Sequence, residues 1–191
     1  MIGRKLIYKT LIFLIPFFIL FGCEINKNNN KTEIYKIVNN RDYFSNIDTL
    51  LKGANSSILI IMYEITKSSD SLSNVEQLKK NLTDKAKEGI IVKVILEYSD
   101  YNTSLNQYNS DAKILLENGG VEVRFDSDII ITHSKLIIVD DNAIVIGSAN
   151  WSNSALDKNN ETSIIIDDFN INSSYTNYFN SLWNSLGGSN D

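Results

Sequence analysis

The chain has 191 residues, of which 43% are hydrophobic and 21% charged, enough for one domain with a sizeable core and too short for two large ones. Its formal net charge of −5 argues against a general nucleic-acid binder, whose affinity comes from neutralising phosphates, although a local basic groove stays open. A single cysteine excludes an intrachain disulfide, so the fold must rest on its core.

Residues 1–22 read as a lipoprotein-type signal peptide. Arg4, Lys5 and Lys9 make a basic start, and Leu11–Phe21 is an apolar run broken by Pro16, shorter than the ~20 residues of a spanning helix. Leu20-Phe21-Gly22-Cys23 resembles a bacterial lipoprotein processing site, with Cys23 as the lipidation point; an uncleaved membrane anchor is the alternative. Either reading exports the folded part and anchors it to a bacterial membrane, at the periplasmic face or the cell surface. Removing residues 1–22 would leave 15 basic and 23 acidic residues, a net charge of −8. Residues 23–32, rich in Asn and Lys, read as a solvated linker, and residues 33–188 as the functional domain.

Within that domain, Glu33–Val38 suits a short strand, and Phe44, Ile47, Leu50, Leu51 and Ala54 recur at helical spacing. Ser57–Ile65 is a near-continuous apolar run, the pattern of a strand buried on both faces. Val75, Leu78, Leu82 and Ala86 mark a helix stopped by Gly89; Ile90–Leu96 is another buried strand. Leu105, Tyr108, Ala112, Leu115 and Leu116 give a third helix, ended by Gly119-Gly120, and Val121–Phe125 follows as a strand. Lys135–Val139 and Ala143–Ile146 flank the turn signal Asp140-Asp141-Asn142, Thr162–Ile166 is a further strand, and Ile171–Leu186 a closing helix. The alternation predicts one α/β domain built on a mixed, mostly parallel sheet with helices on both faces.

The chemistry concentrates in a short stretch. His133, the only histidine, opens His133-Ser-Lys135-Leu-Ile-Ile-Val-Asp140, and Gly147-Ser148-Ala-Asn150 follows. An imidazole, a cation and polar side chains so grouped point to a phosphate ester. If the hairpin turns on Asp141 and Asn142, so that Asp140 faces Ala143, then Lys135 lies opposite Ser148 and His133 opposite Asn150, all on one face. A slip of one residue would put the two pairs on opposite faces. Asp140 lies roughly 17 Å from Lys135 along an extended strand at about 3.3 Å per residue, with opposite parity, which suits support of the turn better than contact with a phosphate. Trp151 and Trp183 read as packing residues, and Glu64 and Glu97, closing two predicted strands, as candidates for the mouth of the site.

His133-x-Lys135-x4-Asp140-x6-Gly147-Ser148-x-Asn150 resembles, without a gap, the signature of the phospholipase D superfamily, in particular its short single-motif members. The similarity runs from about residue 34 to the C-terminus. The resemblance implies a phosphoric diester hydrolase, acting on a nucleic-acid backbone or a phospholipid head group, without a metal or other cofactor. It implies that one motif histidine attacks phosphorus to form a phosphohistidine while a second serves as acid and then base. With only His133 in each chain, the second must come from another copy, giving a homodimer with the site on its two-fold axis. The resemblance counts His133, Lys135, Asp140 and Glu161 as the catalytic group, and Lys135, Ser148 and Asn150 as binding the substrate phosphate. A lipid-tethered phosphate-binding module without turnover is the alternative reading.

Overall fold

The computed structural model describes residues 34–187; the expected signal peptide, linker and Cys23 lie outside them. In chain order the elements are β1 (Tyr35–Ile37), α1 (Asp42–Lys52), β2 (Ser57–Met62), α2 (Asn74–Lys87), β3 (Ile91–Leu96), α3 (Thr103–Asn118), β4 (Glu122–Phe125), β5 (Lys135–Val139), β6 (Ala143–Gly147), α4 (Asn153–Asp157), β7 (Ser163–Asp167) and α5 (Phe169–Ser185). They build one seven-stranded mixed sheet in the order β1-β7-β6-β5-β2-β3-β4. Among the described residues no helix is long and apolar enough to cross a membrane.

The first half follows the sequence pattern closely. β2, β3 and β4 are parallel neighbours joined through α2 and α3, because a parallel crossover needs a covering helix. Ile58, Ile60, Ile61 and Met62 of β2 are fully buried; a buried side chain of this size contributes about 1.5–3 kcal/mol. The two faces have separate cores. Ile58, Ile60, Val94, Ile137 and Val145 pack under α1, α2 and α3, whereas Leu59, Ile61, Ile95, Leu136, Ile138 and Ile144 pack under Phe179 and Trp183 of α5. Trp151 and Trp183 are packing residues in the opposite cores.

The sheet is less parallel than the alternation suggests. Only β2–β3 and β3–β4 are parallel, and the other four pairings are antiparallel. The cause lies between β4 and β5. That connection, Asp126–Ser134, carries no helix and is too short for a parallel crossover. It crosses the C-terminal ends of β3 and β2 instead, and β5 enters beside β2 running the other way.

The β5–β6 hairpin also departs from the expected register. Val139 faces Ala143 and Leu136 faces Ile146, so the turn holds three residues, Asp140, Asp141 and Asn142. Asp140 adopts a left-handed backbone with φ of 52°, a conformation that Asp and Asn tolerate better than most residues. Continuing this ladder sets Lys135 opposite Gly147 rather than Ser148.

Candidate active site

The strand ends that meet at one edge of the sheet are the C-termini of β2, β3, β4 and β6 and the N-termini of β5 and β7. Such an edge of an open α/β sheet is where ligands commonly bind. His133 precedes β5 there and is exposed. Its ring packs edge-on against Tyr63, with centroids 4.6 Å apart. Partial burial, and then the Lys135 ammonium, pull the imidazole below its ordinary value, a shift that favours the neutral form over the charged one.

Lys135 is 9% exposed. Its Nζ donates to the His133 carbonyl at 2.8 Å and lies 4.8 Å from the Tyr63 ring centroid. Burial lowers its pKa, against the opposing fields of the Glu161 and Glu64 carboxylates. Glu64 is affected in the reverse sense: burial raises its carboxyl and Lys135 opposes the rise. The ammonium is thus held, largely buried, at the start of β5 under the fields of two acids.

Beyond this slipped register the chain leaves β6 at Gly147 and changes direction. Ser148 N–H still donates to the Thr162 carbonyl of the next strand, but Trp151 already pairs beside Ile65, past the end of β2. Its N–H donates to the Glu64 carbonyl at 3.0 Å. Residues 148–151 therefore cross from β6 toward the end of β2, and Ser148 joins the cluster through Glu161, whose field acts on Lys135. Gly147 permits the departure. A Cβ there would lie 2.0 Å from Ser163 Oγ and 2.6 Å from the Thr162 carbonyl oxygen.

Ser148 Oγ donates to the Glu161 carboxylate and accepts from Thr162 N–H at 3.1 Å. Asn159 Nδ2 donates to the other Glu161 oxygen at 3.0 Å, and Glu161 N–H donates to Asn40 Oδ1 at 2.8 Å. Glu161 is therefore a fixed acid whose field reaches Lys135. Asn150 Oδ1 is buried without a hydrogen-bond partner among the described residues, so the fold itself does not fix this amide.

Asp140 stands apart. It lies at the opposite end of β5, where its carboxylate accepts from the backbone N–H groups of Asn55 (3.0 Å), Ser56 (2.8 Å) and Ser57 (3.0 Å) and from Ser56 Oγ (2.9 Å). Partial burial pushes this carboxyl up, but the amide hydrogen bonds outweigh it and hold it below the usual aspartate range. Grouping Asp140 with the catalytic residues is therefore corrected: it ties the hairpin turn to the loop between α1 and β2 and takes no part in the cluster around His133.

Sequence reasoning missed four contributors. Tyr63 orients the His133 ring from the end of a strand read only as apolar. Asn40 and Asn39 reach across from the first strand, the latter accepting from Ser163 N–H at 3.0 Å. Asp126 closes β4 and, with Glu97, holds the loop that leads to His133. Polar residues immediately following buried strands were the available signal.

An exposed imidazole, a restrained cation and a hydroxyl–carboxylate pair lie at one strand edge, an arrangement suited to a phosphate ester. Comparison with known proteins agrees with this class. The chain matches the family described as "Cardiolipin synthase, PLD-like domain" over residues 47–183, and it belongs to that phospholipase D-like family. Its sequence is 33% identical over 69 residues to the mouse mitochondrial cardiolipin hydrolase, covering 36% of this chain and 31% of that one. It is 30% identical over 94 residues to a phospholipase D of Rickettsia bellii, covering 49% and 44% respectively. These matches thus span between about a third and under half of the relatives' own lengths. In structure it resembles the phospholipase D family member Nuc of Salmonella typhimurium (TM-score 0.66, 24% identity, 78% of this chain and 93% of that one). NucT of Helicobacter pylori is similar (TM-score 0.64, 21% identity, 79% and 96%); both likenesses concern the fold.

Proposed function

We propose that the protein is a phosphodiesterase of the phospholipase D type, working through a covalent phosphohistidine in a site shared by two copies of the chain. The observation that carries this reading is the strand-edge cluster, in which His133 lies beside a Lys135 held by the His133 carbonyl and flanked by Glu161 and Ser148. In the first step the His133 imidazole of one protomer attacks phosphorus. The bond to the leaving alcohol breaks as the second protomer's imidazolium protonates its oxygen. In the second step that imidazole, now neutral, takes a proton from water; the resulting hydroxide attacks phosphorus and the P–N bond breaks. Lys135 stabilises the non-bridging oxygens and charge on the pentavalent transition state. Ser148 and Asn150 hold the same oxygens, Glu161 polarises the cluster, and no step requires a metal.

A second copy is required because each chain has one histidine. Ile129, Ile130 and Ile131, just ahead of His133, are 87%, 69% and 53% exposed and supply apolar surface where that copy must approach. A nucleic-acid backbone and a phospholipid head group present the same diester to these residues. The acidic domain and an anchor at Cys23 favour phospholipid; the short architecture favours nucleic acid. The lipoprotein-type pattern of residues 1–23 supports export and lipid anchoring to a bacterial membrane, at the periplasmic face or the cell surface.

The test offers the protein single- and double-stranded DNA, RNA, phosphatidylcholine and cardiolipin in excess chelator. Hydrolysis of at least one diester, lost in His133→Asn, is expected. Activity that disappears with the chelator contradicts the chemistry, and phosphate binding without turnover identifies a binding module.

A further inference from the structure

His133 sits between two anchors. On its C-terminal side, the Ser134 carbonyl accepts from Tyr63 N–H at 3.1 Å. On its N-terminal side, Thr132 N–H is shared by two carboxyl groups, Glu97 Oε2 at 2.5 Å and Asp126 Oδ2 at 3.1 Å. Glu97 and Asp126 are only 1% and 8% exposed. Asp126 is itself fixed, since its Oδ1 accepts from Tyr98 N–H at 2.7 Å and its own N–H donates to the Leu96 carbonyl. Two acids so close, out of water and with one N–H between them, cannot both ionise cheaply.

No cation compensates them among the described residues. Lys113 of α3 donates instead to the Val123 carbonyl at 2.7 Å and to Glu117, and Lys135 is engaged by the His133 carbonyl. Of the ionisable groups nearby, Tyr63 at the end of β2 feels the Glu97 charge, and Tyr98 and Asp128 line one surface cavity with Asp126. Burial, and then the hydrogen bond to Asp126, push the Glu97 carboxyl up to about 7, against the lowering effect of the Thr132 amide.

We propose that Glu97 and Asp126 form a proton-sharing carboxyl pair that positions His133 through the Thr132 amide, so that loss of the shared proton loosens the loop and slows turnover. Its effect on turnover rests on the reading of His133 as the reactive group; its effect on the ring does not. Glu97 and Asp126 are positioning residues, one step removed from the reacting atoms. An acid pair in this place makes the site's geometry respond to pH independently of the titration of the histidines.

The sole histidine makes the test direct, because the full-length protein in detergent, carbon-13-labelled on histidine, gives one set of ring signals. Wild type is expected to show the ring's own titration and a second inflection near the pair's transition at about pH 7. In Glu97→Gln, whose amide donates to Asp126 permanently, the second inflection disappears. With a diester substrate, Glu97→Gln retains kcat within about twofold at about pH 6 and loses less activity toward pH 8 than wild type, whereas Glu97→Ala loses about tenfold in kcat with little change in KM. Identical ring titrations in wild type and Glu97→Gln overturn the proposal, as does a folded Glu97→Ala with wild-type kcat. Absence of any diesterase activity would count against the proposed function alone, because the ring titration still decides the role of the pair.

Discussion

Asp140 separates structural from chemical roles within one motif. Its carboxylate satisfies three backbone N–H groups of the loop Asn55–Ser57, and hydrogen bonds to a charged acceptor contribute about 1.5–3 kcal/mol each. The site is partly solvated, so water recovers part of that loss, and Asp140→Ala is expected to cost about 3 kcal/mol. For a chain of this size the loss lowers Tm by roughly 6–12 °C. Asp140→Asn keeps one acceptor and tolerance for the left-handed backbone, so it costs about 1–2 kcal/mol. The depressed carboxyl fixes the sign with pH. Its stabilisation is complete above the ordinary aspartate value of 3.8 and is lost as pH falls through the lower folded value. The gap between wild type and Asp140→Asn therefore narrows in acid. Thermal unfolding followed by circular dichroism across pH, with kcat measured well below each Tm, checks the argument. A large drop in kcat with unchanged stability would refute the structural role.

Lys135→Met keeps most of the buried stem but removes the charge; we expect kcat to fall by about a hundredfold or more, with Tm unchanged or raised, because a costly buried cation is lost. Steady-state kinetics and calorimetry read the two effects separately. Gly147→Ala drives a methyl group into Ser163 and the Thr162 carbonyl, and is expected to destabilise by about 1–3 kcal/mol and to disturb the arch of residues 148–151; urea unfolding and turnover measure the two consequences. Ser148→Ala frees the Glu161 carboxylate from its hydroxyl partner, and an increase in KM larger than the change in kcat is expected if Ser148 mainly holds substrate.

Much of the sheet was legible because β2 and β3 are long apolar runs separated by one amphipathic helix. The parallel share was overstated because the Asp126–Ser134 connection carries no periodicity from which its crossing of two strand ends could be read. The motif singled out His133, Lys135 and Ser148, but the route that joins them through the His133 carbonyl and Glu161 was not legible. A turn of three residues rather than two depends on Asp140 adopting a left-handed backbone to reach the amides of a loop more than eighty residues earlier. Long-range capping of this kind leaves no local pattern. The Glu97–Asp126 pair was hidden for the same reason, since two acids far apart in sequence meet only when β3 and β4 align.

The claim on which the account depends is that two His133 rings from separate chains serve one phosphorus atom, and subunit mixing tests it most directly. Wild-type and His133→Asn chains, separately tagged and co-expressed in equal amounts, assort into three dimers, and the mixed dimer can be isolated with both tags. The account predicts that the mixed dimer does not turn over, leaving about a quarter of all dimers active. A mixed dimer with half the activity of wild type would show that each chain carries a complete site, and would contradict it.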